Sequence, residues 1–91
     1  MRYSEQMRAI RSFSIREYIV RALELAVYET DEHGVVLARV PNAQGMFAEG
    51  DTVEDARTEL ADVVEGNLAL ALQLGLPIPP LPGFEIQEQP R

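Results

Sequence analysis

The stretch "GDTVEDARTELADVVEGNLALALQLGLPIP", Gly50 to Pro79, constrains this chain more than any other. Val53, Ala56, Leu60, Val63, Val64, Ala71 and Leu74 keep to one side of a helix for roughly six turns. Thr52 with Asp55, overlapped by Asp51 with Glu54, gives the start a capping pattern, and one such cap is worth about 1 kcal/mol. Carboxylates in the first turn also suit the helix dipole. Gly75, Leu76 and Pro77 supply a C-cap glycine, a following hydrophobe and a stop. Within the helix Gly66 costs about 1 kcal/mol relative to alanine. Asn67 falls on the apolar stripe, where it needs a kink or a partner for its amide, either inside the chain or across an oligomer contact.

A second helix is expected earlier, from about Ile15 to Leu25 in "FSIREYIVRALELA". Ser14 and Glu17 form a capping box, and Phe13 and Tyr18 occupy the two positions of a hydrophobic staple. Next, "LAVYETDEHGVVLARVP" reads as a hairpin whose turn uses Gly34 for positive φ. Val36, Ala38 and Val40 share one face of its second strand, and Val35, Leu37 and Arg39 the other. Pro41 stops the ladder because it has no amide to donate. "NAQG" then reverses the chain into a short third strand, "MFAE", which Gly50 ends. The fold class expected is α+β, in the order α-β-β-β-α.

These boundaries give one domain over residues 14–91, preceded by a flexible basic leader at 1–13 and closed by a proline-rich tail at 77–91. The tail is expected to pack over the domain, with "FEI" after Gly83 as a short strand on the sheet edge. A chain of 91 residues buries only about 60–65 % of its unfolded surface, which makes self-association into a dimer or tetramer an expectation.

Charge narrows the function. The first 21 residues hold five arginines against Glu5 and Glu17, a balance of +3. From Ala22 to Pro90, Arg39 and Arg57 face thirteen Asp and Glu, a balance of −11, and Arg91 completes the net −7. A protein that tracks a phosphate backbone needs clustered cations, so this chain alone is not expected to bind nucleic acid. A basic protein is the natural partner for such a field. There is no cysteine, hence no disulfide and no thiol nucleophile, and His33, the one histidine, sits where a turn is expected. No run approaches the roughly 20 apolar residues of a membrane span, and the expected location is the cytoplasm.

The order of elements, together with "RVP…G…EGDTVEDA" and "LQLGLPIPP", resembles the HicB-like antitoxin family of type II toxin–antitoxin systems from about Tyr18 to Pro80. The matching residues are Pro41 after Val40, Gly45 in the turn, Gly50-Asp51-Thr52, Glu54 and Ala56, then Gly75-Leu76-Pro77-Ile78-Pro79. The resemblance implies a fold like a double-stranded-RNA-binding domain, with a three- or four-stranded sheet against the long helix. It also implies a function: binding and masking a small basic HicA-type toxin, an mRNA-cutting ribonuclease. Longer members add a C-terminal DNA-binding segment; this sequence has no room for one before Arg91, so operator binding is not expected. The turn reads "PNAQG" where a "PDLPG"-like sequence is common, and Asn67 stands where a large apolar residue is common.

Glu49, Asp51, Glu54 and Asp55 are the candidate partner-binding residues, and Pro41, Gly45, Gly50, Thr52, Ala56, Gly75, Pro77 and Pro79 the candidate structural ones. No cofactor, metal or catalytic residue is expected. Two other functions fit the sequence. One is an oligomeric structural or regulatory module with no toxin. The other is a magnesium-dependent nuclease using those four carboxylates, against which stand their capping role and the absence of any lysine to steady a phosphate.

Overall fold

The computed structural model describes residues 10–89. In chain order these form β1 (Ile10–Ser12), α1 (Ile15–Leu25), β2 (Val27–Thr30), β3 (Val36–Arg39), β4 (Phe47–Gly50), α2 (Val53–Leu74) and β5 (Gln87–Gln89). Helix α1 starts where local chemistry dictates. Ser14 is extended, its hydroxyl accepts from the Glu17 amide at 3.1 Å, and the Phe13 and Tyr18 rings meet at 6.0 Å as a staple. Ala26 returns to extended geometry and passes the chain straight into β2.

In the β2–β3 turn, Oδ1 of Asp31 accepts from the amides of His33 (2.8 Å) and Val35 (2.9 Å), while Gly34 takes φ +84°. The β3–β4 connection is two consecutive reversals. Ala43 N–H donates to the Val40 carbonyl and Met46 N–H to that of Ala43. Each turn needs positive φ at its third residue, supplied by Asn42 (+64°) and Gly45 (+84°), and Pro41 presets the second residue of the first.

Strands β2, β3 and β4 make a three-stranded antiparallel sheet in that order. Two rows of cross-strand partners, Tyr28–Ala38–Ala48 and Thr30–Val36–Gly50, form its inner face. Helix α2 lies across this face, over β4 and β3, with Ala56, Leu60 and Val64 fully buried. Small residues permit the approach. A Cβ added to Gly50 would collide with the Ala56 amide nitrogen, so that junction requires glycine.

The buried stripe of α2 is Ala56, Leu60, Val64, Leu68 and Ala71. This differs from the expected stripe at both ends. Val53 is 51 % and Leu74 62 % exposed, because the first and last turns overhang their supports, while Leu68, absent from the expected set, is fully buried. A row of residues four apart drifts by about 40° per step, so the face that meets the core shifts along the helix. Thr52 Oγ1 accepts from the Asp55 amide at 3.0 Å, and Gly75 closes the helix at φ +69°.

After Gly75 the tail runs along α1. Tyr18 Oη donates to the Pro79 carbonyl at 2.5 Å, Arg21 Nε donates to that of Pro82 at 2.7 Å, and Leu81 is buried. Phe84 meets Tyr18 edge to face at 5.3 Å and Phe13 at 6.3 Å.

The expected edge strand is elsewhere. Phe84 forms only an isolated bridge with Leu81, and β5 begins at Gln87 and pairs with β1, from Ile10↔Gln89 to Ser12↔Gln87, as a separate two-stranded sheet. The tail follows α1 back toward Phe13, so the backbone just ahead of that helix is what it meets. Of the leader expected at 1–13, residues 1–9 lie outside the described residues and 10–12 are β1.

Candidate functional site

The outer face of the three-stranded sheet carries the rows Val27–Arg39–Phe47 and Glu29–Leu37–Glu49. Helix α2 occupies the other side. Phe47 is accordingly 65 % exposed, and Val27, Glu29, Arg39 and Glu49 are exposed with it. Beside Phe47, the double turn forms an open depression of about 410 Å³, lined by Arg39, Asn42, Gln44 and Phe47 among others. An exposed aromatic ring with Arg39 and carboxylates on the same face has the composition of an interaction surface.

The four candidate carboxylates fall within one corner. Glu49 is on the outer face of β4, Asp51 in the bend, and Glu54 and Asp55 in the first turn of α2; all four are exposed. Every Asp and Glu from Glu24 to Glu85 is exposed, and no charged side chain is buried among the described residues. Ion pairs among those residues are Arg21–Glu24 at 3.1 Å and the contact of Glu32 with His33 at 3.6 Å, neither at this corner. The acidic field is left to solvent. Among the described residues, no group of three or more Asp, Glu, His or Cys is placed to hold a metal ion.

The candidate structural residues have individual tasks. Pro41 and Gly45 shape the double turn, Gly50 and Ala56 make the strand–helix contact, Thr52 and Gly75 cap α2, and the Pro79 carbonyl accepts from Tyr18. Pro77 follows the cap. Asn67 donates from Nδ2 to the Gly45 carbonyl at 3.1 Å, so its amide is satisfied within the chain and ties α2 to the turn. Phe47 was not among the candidates. The signal for it is the alternation of "MFAE": with Met46 and Ala48 buried, Phe47 has to point out.

A family model described as UPF0150-like matches residues 17–79, from the first turn of α1 to the proline that Tyr18 holds. The chain belongs to the UPF0150-like family. That match includes Glu49, Asp51, Glu54, Asp55, Phe47 and the double turn. Among solved structures, this UPF0150-like chain is similar to TTHA0281 from Thermus thermophilus, with a TM-score of 0.73 and 23 % identity over 88 % of this chain and 100 % of that one. At that identity the likeness establishes the fold alone. No curated protein matches the chain. No helix among the described residues is long and apolar enough to cross a membrane.

Proposed function

We propose that this UPF0150-like protein is a HicB-type antitoxin that binds a small basic HicA-type mRNA interferase and neutralises it by masking its active site. The observation that carries this reading is the exposed acidic surface between Glu24 and Glu85, where Arg39 and Arg57 are the only cations against twelve carboxylates. A ribonuclease has to gather positive charge to hold its substrate's phosphates. An acidic protein competes for those same cations, is drawn in at long range, and loses association rate as salt screens the field.

The outer sheet face supplies what charge alone does not. Phe47, with Arg39 directly across from it, is an aromatic anchor that a partner can desolvate; Glu49, two residues along the same strand, and Glu29, on the far edge of the sheet, occupy rim positions where carboxylates set orientation and on-rate. The corner of Asp51, Glu54 and Asp55 extends the same field.

Co-expression with a HicA-type toxin should restore growth and yield a co-purifying complex; failure of both rejects the reading. Replacing Glu49, Asp51, Glu54 and Asp55 together by their amides should weaken binding about tenfold to a hundredfold at low salt and flatten its salt dependence. Unchanged affinity and salt slope would remove these four residues from the contact.

A further inference from the structure

Both edges of the three-stranded sheet, β2 and β4, are unpaired among the described residues. At the β4 end of the ladder, Val40 N–H donates to the Met46 carbonyl, and the pairing alternates from there: Ala48 and Gly50 turn their backbone groups toward β3, and Phe47 and Glu49 turn theirs away. No other backbone bond among the described residues reaches those outward groups. The side chains of both residues stand on the outer face, Phe47 being 65 % exposed. At the opposite edge the bond from Asp31 N–H to the Val35 carbonyl sets the same alternation, and the residues turned outward are Tyr28 and Thr30, both uncharged and on the inner face. The two edges thus offer the same backbone pattern and different side-chain chemistry.

We infer that the β4 edge takes an extended basic segment of a partner protein as a fourth, antiparallel strand, hydrogen-bonded to the backbones of Phe47 and Glu49. Directly opposite residues in such a pair share a face and lie about 5 Å apart. A lysine or arginine opposite Glu49 therefore meets an opposite charge, and one opposite Phe47 lies against an aromatic ring. Arg39 is one strand further in, across from Phe47, so the charge carried on the edge strand itself is that of Glu49. Asp51, Glu54 and Asp55 continue the negative field beyond the end of the strand. Backbone bonds supply affinity whatever the sequence, and the charges select a basic segment. A second copy of this chain, with its net −7, would bring its own Glu49 and acidic corner against this one, and a charged edge of four residues discourages that pairing. The inference rests on the proposed function only in taking a basic protein as the partner.

The probe is a blocked octapeptide alternating lysine and valine, titrated into the isotope-labelled full chain and followed by NMR. It should bind with a Kd at or below about 1 mM and slow hydrogen exchange at the Phe47 and Glu49 amides, leaving Tyr28 and Thr30 unchanged. N-methylation of its central amides keeps the charge, removes the donors and should weaken binding at least about tenfold. On the protein, Glu49→Pro removes an amide that the ladder does not use, and should weaken the peptide at least about tenfold more than Glu49→Gln, which removes the charge alone. Thr30→Pro, the equivalent change at the other edge, should bind as wild type does. Equal binding of the two peptides overturns the added strand and leaves the acidic-surface reading standing, since charge alone then accounts for the affinity. Protection at Tyr28 and Thr30 in place of Phe47 and Glu49 also overturns it, as does failure of both peptides to bind. Should circular dichroism show Glu49→Pro to be misfolded, the comparison of the two peptides on the wild type decides. Failure of the toxin to co-purify, by contrast, rejects the proposed function and leaves the added strand to these measurements.

Discussion

From Val53 to Glu65, α2 carries five carboxylates and one arginine and lies across β3 and β4; from Gly66 to Leu74 it carries no charge and leaves three leucines exposed. Both halves feed one core, since Leu60 and Val64 in the first and Leu68 in the second are fully buried. Their outward sides differ because one faces water or a charged partner while the other presents apolar surface that water does not reward. The change comes at Gly66 and Asn67, and Asn67 anchors the helix to the double turn through the Gly45 carbonyl. A single helix can therefore be continuous in its packing and divided in its surface.

The largest effects test the continuity. Leu60→Ala and Leu68→Ala each remove a fully buried side chain and should each cost about 2–5 kcal/mol. For a chain of this size each kcal/mol lowers the melting temperature by roughly 4–8 °C. Calorimetry should show one transition in both variants. If Leu68→Ala leaves the main transition in place, the second half is not part of the common core.

Two glycines sharpen the contrast next. Gly50→Ala drives a Cβ against the Ala56 backbone and should cost about 3 kcal/mol, since neither partner can yield without moving the strand–helix junction. Gly66→Ala meets nothing within 4 Å and should stabilise by about 1 kcal/mol through helix propensity. Denaturant midpoints of the two variants should move in opposite directions.

Much of this architecture was legible because its signals are local. Ser14, Thr52 and Gly75 mark helix ends within a few residues of themselves, and Gly34, Pro41 and Gly45 mark turns, so both helices and all three strands of the main sheet fall where the sequence places them. Long-range partners were not legible. Nothing in "FEIQEQ" says that the tail will pair with Ile10–Ser12 and leave the main sheet's edge free, because that depends on the tail's path along α1. Periodicity also overstates the ends of a buried stripe: it includes Val53 and Leu74 as readily as Leu60, although only packing decides how far support extends. The candidate carboxylates were legible as exposed acids, whereas Phe47 becomes a candidate only once α2 is known to cover the opposite face.

Two tyrosines give a smaller effect. Tyr18→Phe removes the bond to Pro79 and should cost about 1 kcal/mol. The Tyr28 hydroxyl is buried with no hydrogen-bond partner among the described residues, so Tyr28→Phe should be neutral or slightly stabilising. Burial also pushes the Tyr18 phenol up from 10.0 to about 12. The folded chain then holds a proton between pH 10 and about 12 that the unfolded chain releases, so stability falls as pH rises through that window and is insensitive to this group below it. Tyr18→Phe should lack that part of the alkaline decline.

The smallest effect bears on whether the acidic half is shaped for its own stability. Glu59 follows Asp55 by four residues and precedes Asp62 by three, so like charges neighbour one another along the exposed side of α2. It lies beyond the first turn, where the helix dipole would reward a carboxylate, and takes part in none of the ion pairs among the described residues. Glu59→Gln should therefore stabilise by a few tenths of a kcal/mol at low salt, and the gain should vanish at high salt as screening removes the repulsion it relieves. A surface that becomes more stable on losing a charge is held by something other than folding, which is what a docking surface requires. If Glu59→Gln instead destabilises the chain by 1 kcal/mol or more on the usual scale of surface substitutions, about ±0.5 kcal/mol, the acidic half is structural and the contrast within α2 loses its functional meaning.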